Sequence, residues 1–251
     1  MNQNNQLVSI ILPIYNADSF LSSCLDSLLS QNYLNIEIIA IDDYSKDTSY
    51  SILKMYKRLD KRVRIARNVK RYGMSITLNR AVKEATGRYI IFMSPKDTVT
   101  RDKIRKQVQY LTDNPKTVAV GTQCLYINEQ KKRIGKSYFP LDEHIIKQTL
   151  FTGFAVQSET VLIHRYLIPS DLLHFPPILD RHFTYWPIFA KLLRYGTIAN
   201  LEQPLQTHMK RHDYFLSLKL EMIHYMKLWF QARFVYDLRL PLQTLFYPLV
   251  R

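Results

Sequence analysis

The sequence predicts an α/β fold: a doubly wound, mostly parallel sheet with a helical extension at its C-terminal end. Three observations predict it. Short β-branched runs alternate with helical patterns through the first half of the chain, in the order β-α-β-α-β-α-β. Those runs are apolar almost without a break, as strands covered on both faces must be. No internal repeat, low-complexity segment or linker interrupts the order, and 251 residues with 47% hydrophobic content suffice for a sizeable core.

The strands expected are "LVSIILPIY" (7–15), "IEIIAID" (36–42), "RVRIARN" (62–68) and "RYIIFM" (88–93). Helices lie between them. The clearest spans 17–31, where Phe20, Leu21, Cys24, Leu25, Leu28 and Leu29 repeat as a stripe that faces a sheet. Another spans 75–85, with Gly87 as its C-terminal stop. A helix over 102–112 turns Ile104, Val108 and Leu111 inward and Lys103, Arg105 and Lys106 outward. "KTVAVG" (116–121) and "TVLIH" (160–164) read as further strands, and "FTYWPIFAKLLRYG" (183–196) as a helix with Pro187 in its first turn. The tail over 214–236 is helical, with Leu218, Met222, Met226 and Trp229 on one face and Lys219, Lys227 and Arg233 elsewhere. The expected division is an α/β domain over 1–212 and an amphipathic helical extension over 213–251.

Charge points to an anionic partner. There are 35 Lys and Arg against 21 Asp and Glu, a net charge of +14, which suits a nucleotide diphosphate, a nucleic acid or an anionic membrane surface. The charge is spread along the chain and no recognised module carries it, which argues against nucleic acid. "KKR" (131–133) lacks flanking aromatics and reads as a solvated turn. Two cysteines, Cys24 and Cys124, make no disulfide framework, and a reducing compartment is expected. The opening "MNQNNQ" has no basic region before its apolar run, and no segment reaches about 18 uninterrupted apolar residues. The expected location is cytoplasmic, in solution or on the inner face of a membrane. The tail either covers the core or lies on an anionic membrane surface.

Ligands of such a sheet gather at the carboxyl ends of its strands. There the first strand gives Pro13, Tyr15 and Asn16, and the second gives Asp42, Asp43, Ser45 and Asp47. Paired carboxylates at a strand end accept hydrogen bonds from a base N–H and a ribose hydroxyl; capping the next helix is the other role open to them. The fourth strand runs into Ser94-Pro95-Lys96-Asp97.

The succession "VSIILPIYN", "QNYLNIEIIAIDDYSKDTS", "RVRIARNVKRYGMSITLNRAV" and "GRYIIFM" resembles the N-terminal half of the family 2 glycosyltransferases, inverting enzymes of the GT-A fold. "DTVTRDKIRKQVQYLTDNPKTVAVGT" and "LRYGTIANLEQPLQTH" extend the resemblance over about residues 7 to 210. The resemblance implies a GT-A-type sheet and transfer of a sugar from a nucleotide-diphosphate sugar to a glycan or lipid-linked acceptor, in building a cell-surface glycan. It places Pro13, Tyr15, Asp42 and Asp43 around the nucleotide base, and Gly73 and Asn79 at the third loop.

Two positions depart from the family's pattern. Ser94 and Lys96 fall on the two aspartates of the D-x-D motif that hold a divalent cation, while Asp97 matches the acidic residue that comes next. A hydroxyl and an ammonium do not coordinate such a cation, but an ammonium pairs with a diphosphate directly. The resemblance so altered implies no metal cofactor, with Lys96 and Asp97 at the nucleotide. The family's Glu-Asp pair, whose Asp is the general base, falls on Thr184 and Tyr185; Asp180 and His182 are the nearby candidates, Asp180 being the choice for base. Losing both motifs also fits a catalytically inactive scaffold or regulatory protein.

Overall fold

The computed structural model describes residues 5–150, 155–176 and 185–210, and, in the tail, residues 226, 229, 230, 233 and 234. Four parallel strands form one half of a single sheet: β1 (Val8–Ile14), β2 (Ile36–Asp42), β3 (Val63–Arg67) and β4 (Tyr89–Phe92), in spatial order β3-β2-β1-β4. Every residue of β1 and β2 is buried, which is why both read as unbroken apolar runs. Their polar exceptions at the amino end satisfy each other. Ser9 Oγ donates to Glu37 Oε1 at 2.6 Å and Arg64 Nη1 to Glu37 Oε2 at 2.6 Å.

Helices α1 (Asp18–Leu29), α2 (Ser49–Leu59) and α3 (Met74–Glu84) make the crossovers. α1 buries Leu21, Cys24, Leu25 and Leu28, while Phe20 stays partly exposed and serves the rim of the sheet. Gly87 does not act as a helix stop. A β-carbon there would lie 2.6 Å from Ser9 Oγ and 2.7 Å from Ser9 N, so glycine is required for β4 to approach β1.

After β4 the sheet becomes mixed. In chain order come β5 (Thr98–Val99), α4 (Lys103–Asp113), β6 (Thr117–Ile127), β7 (Arg133–Lys136), α5 (Glu143–Thr149), β8 (Leu162–His164), α6 (Trp186–Leu192) and β9 (Thr197–Met209). β8 lies antiparallel between β4 and β6, β9 pairs parallel with β6, and β5 pairs antiparallel with β9. Helices cover both faces, giving one apolar core around α3 and α6 and another around α1, α2 and α4.

The outward placement of Lys103 is corrected by the fold. Only 1% of it is exposed, because β6, β8 and β9 cover a wider face of α4 than its three apolar positions mark. Its ammonium donates to Gln107 Oε1 at 2.9 Å, and Gln107 Nε2 in turn donates to the carbonyls of Val120 and Thr160. In the tail, Trp229 is buried in the α3–α6 core, with Phe230 and Phe234 exposed beside it; Leu218 and Met222 lie outside the described residues. Among the described residues no helix is long and apolar enough to cross a membrane.

Candidate active site

Because β1 to β4 are parallel, the residues just past each strand gather on one edge of the sheet. Tyr15 comes after β1, Asp43 after β2, Asn68 after β3, and the 94–97 turn after β4. Two strand ends need left-handed backbone, at Asn16 (φ 47°) and Tyr44 (φ 63°). Asn16 bridges them: its N–H donates to Ser45 Oγ and its Oδ1 accepts from Lys46 N.

The two strand-end carboxylates have different work. Asp42 is wholly buried, bound by Arg67 Nε at 2.9 Å and by Ser45 N. The Arg67 guanidinium also lies on the faces of Tyr44 and Tyr50, at 5.3 and 4.7 Å. Asp43 accepts from Asn68 Nδ2 at 2.7 Å, Tyr72 N at 2.8 Å and Gly73 N at 2.8 Å, so the third loop hangs on it. Neither caps α2; its first N–H, that of Ser49, donates to Asp47 Oδ1 at 3.0 Å. Pro13 is buried inside β1 beside Ile41, and the ring of Tyr15 carries the Arg71 guanidinium at 4.0 Å. Asn79 clamps residue 175, donating to the Phe175 carbonyl and accepting from its N–H, each at 2.8 Å.

In the 94–97 turn, Asp97 faces inward and is 0% exposed. It accepts from Gln206 Nε2 and His208 Nδ1, each at 2.8 Å, and from Met209 N at 3.2 Å. It therefore anchors the end of β9. Lys96 is partly exposed, with its ammonium 5.2 Å from the centre of the Phe20 ring; Lys131, from the β6–β7 turn, approaches the same ring at 5.7 Å.

The sequence matches the profile of Glycosyl transferase family 2 over residues 9–168. The chain belongs to this family. It is 24% identical over 237 residues to a protein of Bacillus subtilis named putative teichuronic acid biosynthesis glycosyltransferase TuaG, covering 88% of this chain and 91% of that one. Over 184 residues it is 28% identical to the Escherichia coli protein named UDP-Glc:alpha-D-GlcNAc-diphosphoundecaprenol beta-1,3-glucosyltransferase WfgD, covering 73% and 69%. The fold matches the crystal structure of S. aureus TarS 1–349 in complex with UDP-GlcNAc, with TM-score 0.68 and 16% identity over 94% of this chain and 76% of that one. The sheet is thus that of the GT-A enzymes, and the chain is a glycosyltransferase.

On the family's motif, the β4 turn carries neither of the two D-x-D aspartates. Ser94 and Lys96 occupy the aspartate positions, and Asp97 spends both oxygens inside the protein. Among the described residues no three His, Cys, Asp or Glu side chains come together to hold an ion. Tyr185, which the motif resemblance sets at the family's base position, is buried among Phe92 and Phe175, with ring centroids 5.7 and 5.6 Å away. Burial, then the carboxylates of Glu159 and Asp97, push its hydroxyl well above the ordinary tyrosine value. It is no base. Asp180, His182 and Thr184 lie outside the described residues.

Sequence reasoning missed Glu159, Gln157 and His208. The imidazole of His208 contacts Asp97 on one side and lies 3.4 Å from Gln157 Nε2 on the other, and Gln157 Nε2 donates to Glu159 Oε2 at 2.6 Å. Burial lowers the affinity of His208 for its proton, but the adjoining Asp97 carboxylate outweighs it and lifts the pKa to about 9.

Proposed function

We propose that this glycosyltransferase moves a sugar from a nucleotide-diphosphate sugar to a glycan or lipid-linked acceptor without a divalent cation, with Lys96 in place of the metal's charge. The observation that carries the reading is the shared edge, on which Tyr15, Asp43 and the Ser94-Pro95-Lys96 turn come directly after three adjacent parallel strands. In this reading Tyr15 and Asp43 take the base, and Asp42 and Asp97 act behind them by fixing the loops. The acceptor oxygen bonds to the anomeric carbon as that carbon's bond to the diphosphate breaks, the electron pair staying on the diphosphate oxygen. Lys96 faces the charge that builds there.

Three cations at this rim, Arg71, Lys96 and Lys131, each lie on an aromatic face, which orders positive charge along the edge where a diphosphate would sit. The names of the bacterial relatives, one in teichuronic acid biosynthesis and one acting on a diphosphoundecaprenol-linked sugar, support a role in cell-surface polysaccharide synthesis.

Calorimetric titration with UDP and UDP-N-acetylglucosamine, in EDTA and again in Mn²⁺, tests the reading. The expected Kd is the same within about threefold in both, and Lys96→Ala weakens it about tenfold or more, a loss of about 1.4 kcal/mol. Binding that needs Mn²⁺ and ignores Lys96→Ala would overturn the charge replacement; no binding in either buffer would favour the scaffold role.

A further inference from the structure

Inverting transfer needs a group to take the acceptor's proton, and Tyr185 cannot serve. A carboxylate nevertheless reaches the same edge of the sheet from another turn. β8 runs antiparallel to β4, with Leu162 opposite Ile91, so the turn that leads into β8 lies at the carboxyl end of β4, on the same edge as the 94–97 turn. Glu159 sits on that turn, partly exposed.

Its state differs from that of the other carboxylates along this edge. Asp42, Asp43 and Asp97 are at most 5% exposed, and each is held by two or more donors from the protein. Glu159 has one oxygen on the Gln157 amide, and its other oxygen accepts no hydrogen bond among the described residues. Its carboxylate adds to the upward shifts of Tyr185, Tyr126 and His208. The Gln157 amide holds this orientation, and the Asp97–His208 pair lies on the far side of that amide.

We infer that Glu159 is the general base of this transferase, supplied from the turn before β8 to replace the carboxylate that the α6 end of the site has lost. The acceptor hydroxyl gives its proton to the open carboxylate oxygen as the acceptor oxygen bonds to the anomeric carbon; the sugar–diphosphate bond breaks with its electron pair on the diphosphate. Gln157 is its positioning residue. The inference rests on the glycosyl-transfer reading above.

The test measures UDP release from UDP-glucose and from UDP-N-acetylglucosamine with water as acceptor, in full-length protein, with UDP binding measured in parallel by calorimetry. Glu159→Gln and Glu159→Ala are expected to lower release about 10²- to 10⁴-fold while Kd for UDP stays within about threefold. Azide, a nucleophile with no proton to lose, is expected to restore release by Glu159→Ala. Release within about threefold of wild type in both variants, or release that azide does not restore, overturns the assignment. So does the pattern in which Asp180→Asn abolishes release and Glu159→Gln keeps it. Wild-type protein that binds no UDP sinks the transfer reading itself, and this inference with it.

Discussion

Two buried cationic side chains behind the 94–97 turn titrate in opposite senses. For His208 the folded value, about 9, lies above the ordinary 6.5, so its pairing with Asp97 stabilises fully below pH 6.5 and is lost as pH rises through 9. Lys103 runs the other way. Burial lowers it from 10.5 to about 7 against the opposing pull of Asp97, so stability is gained as pH rises from 7 toward 10.5, and the penalty of the buried ammonium is fully present below 7. Urea denaturation of variants separates the two. His208→Gln is expected to cost more at pH 6 than at pH 10, by a difference on the order of 3 kcal/mol. Lys103→Met is expected to stabilise more at pH 6 than at pH 11. Differences that do not change with pH would contradict both assignments. Neither role is legible in the sequence. Helical spacing puts Lys103 on the water face of α4, and His208 gains its meaning from Asp97, 111 positions away in the chain.

At the scale of elements, the third loop shows how the geometry at a strand end is stored in the backbone. Gly73, at φ 89° and ψ 171°, precedes α3 in a region that only glycine populates readily, and donates its N–H to Asp43. A β-carbon there would meet nothing within 4 Å, so the cost of Gly73→Ala is conformational alone, about 1–3 kcal/mol. Thermal unfolding is expected to show that loss together with weaker UDP binding, because Asp43 loses one of its three donors; unchanged binding would separate the loop from the proposed nucleotide site. The apolar strands are legible nearly to their ends, and the apolar run of β2 has the strand's own limits, 36–42. β9 is not legible as a strand from its residues. Glu202 and Gln203 are exposed in mid-strand and break the apolar run, and β6 continues past its apolar half for the same reason, with its last three residues partly exposed. β5, of two residues, is too short to carry a pattern.

For the whole molecule, the division of the sheet explains which half of the site the sequence announces. The β1–β4 half is parallel, its strand ends are marked by polar residues after apolar runs, and Tyr15, Asp43 and Lys96 can be placed from that alone. The half built from β6, β8 and β9 returns through long-range, partly antiparallel pairing, and brings Gln157 and Glu159, from the turn before β8, together with His208 of β9. No local pattern signals such a meeting. What joins the halves is the 94–97 turn, with Lys96 turned toward the rim and Asp97 turned into β9. The rewritten turn is thus a structural joint as well as the point where, on the proposed reading, a cation's charge is replaced. The measurement that tests this most directly is the rate of UDP release from a UDP-sugar by wild-type protein and Lys96→Ala, each in excess EDTA and in Mn²⁺. A wild-type rate within about twofold in the two buffers, falling about 10²-fold or more in Lys96→Ala, is the predicted result; a rate that EDTA abolishes and Lys96→Ala leaves intact would contradict it.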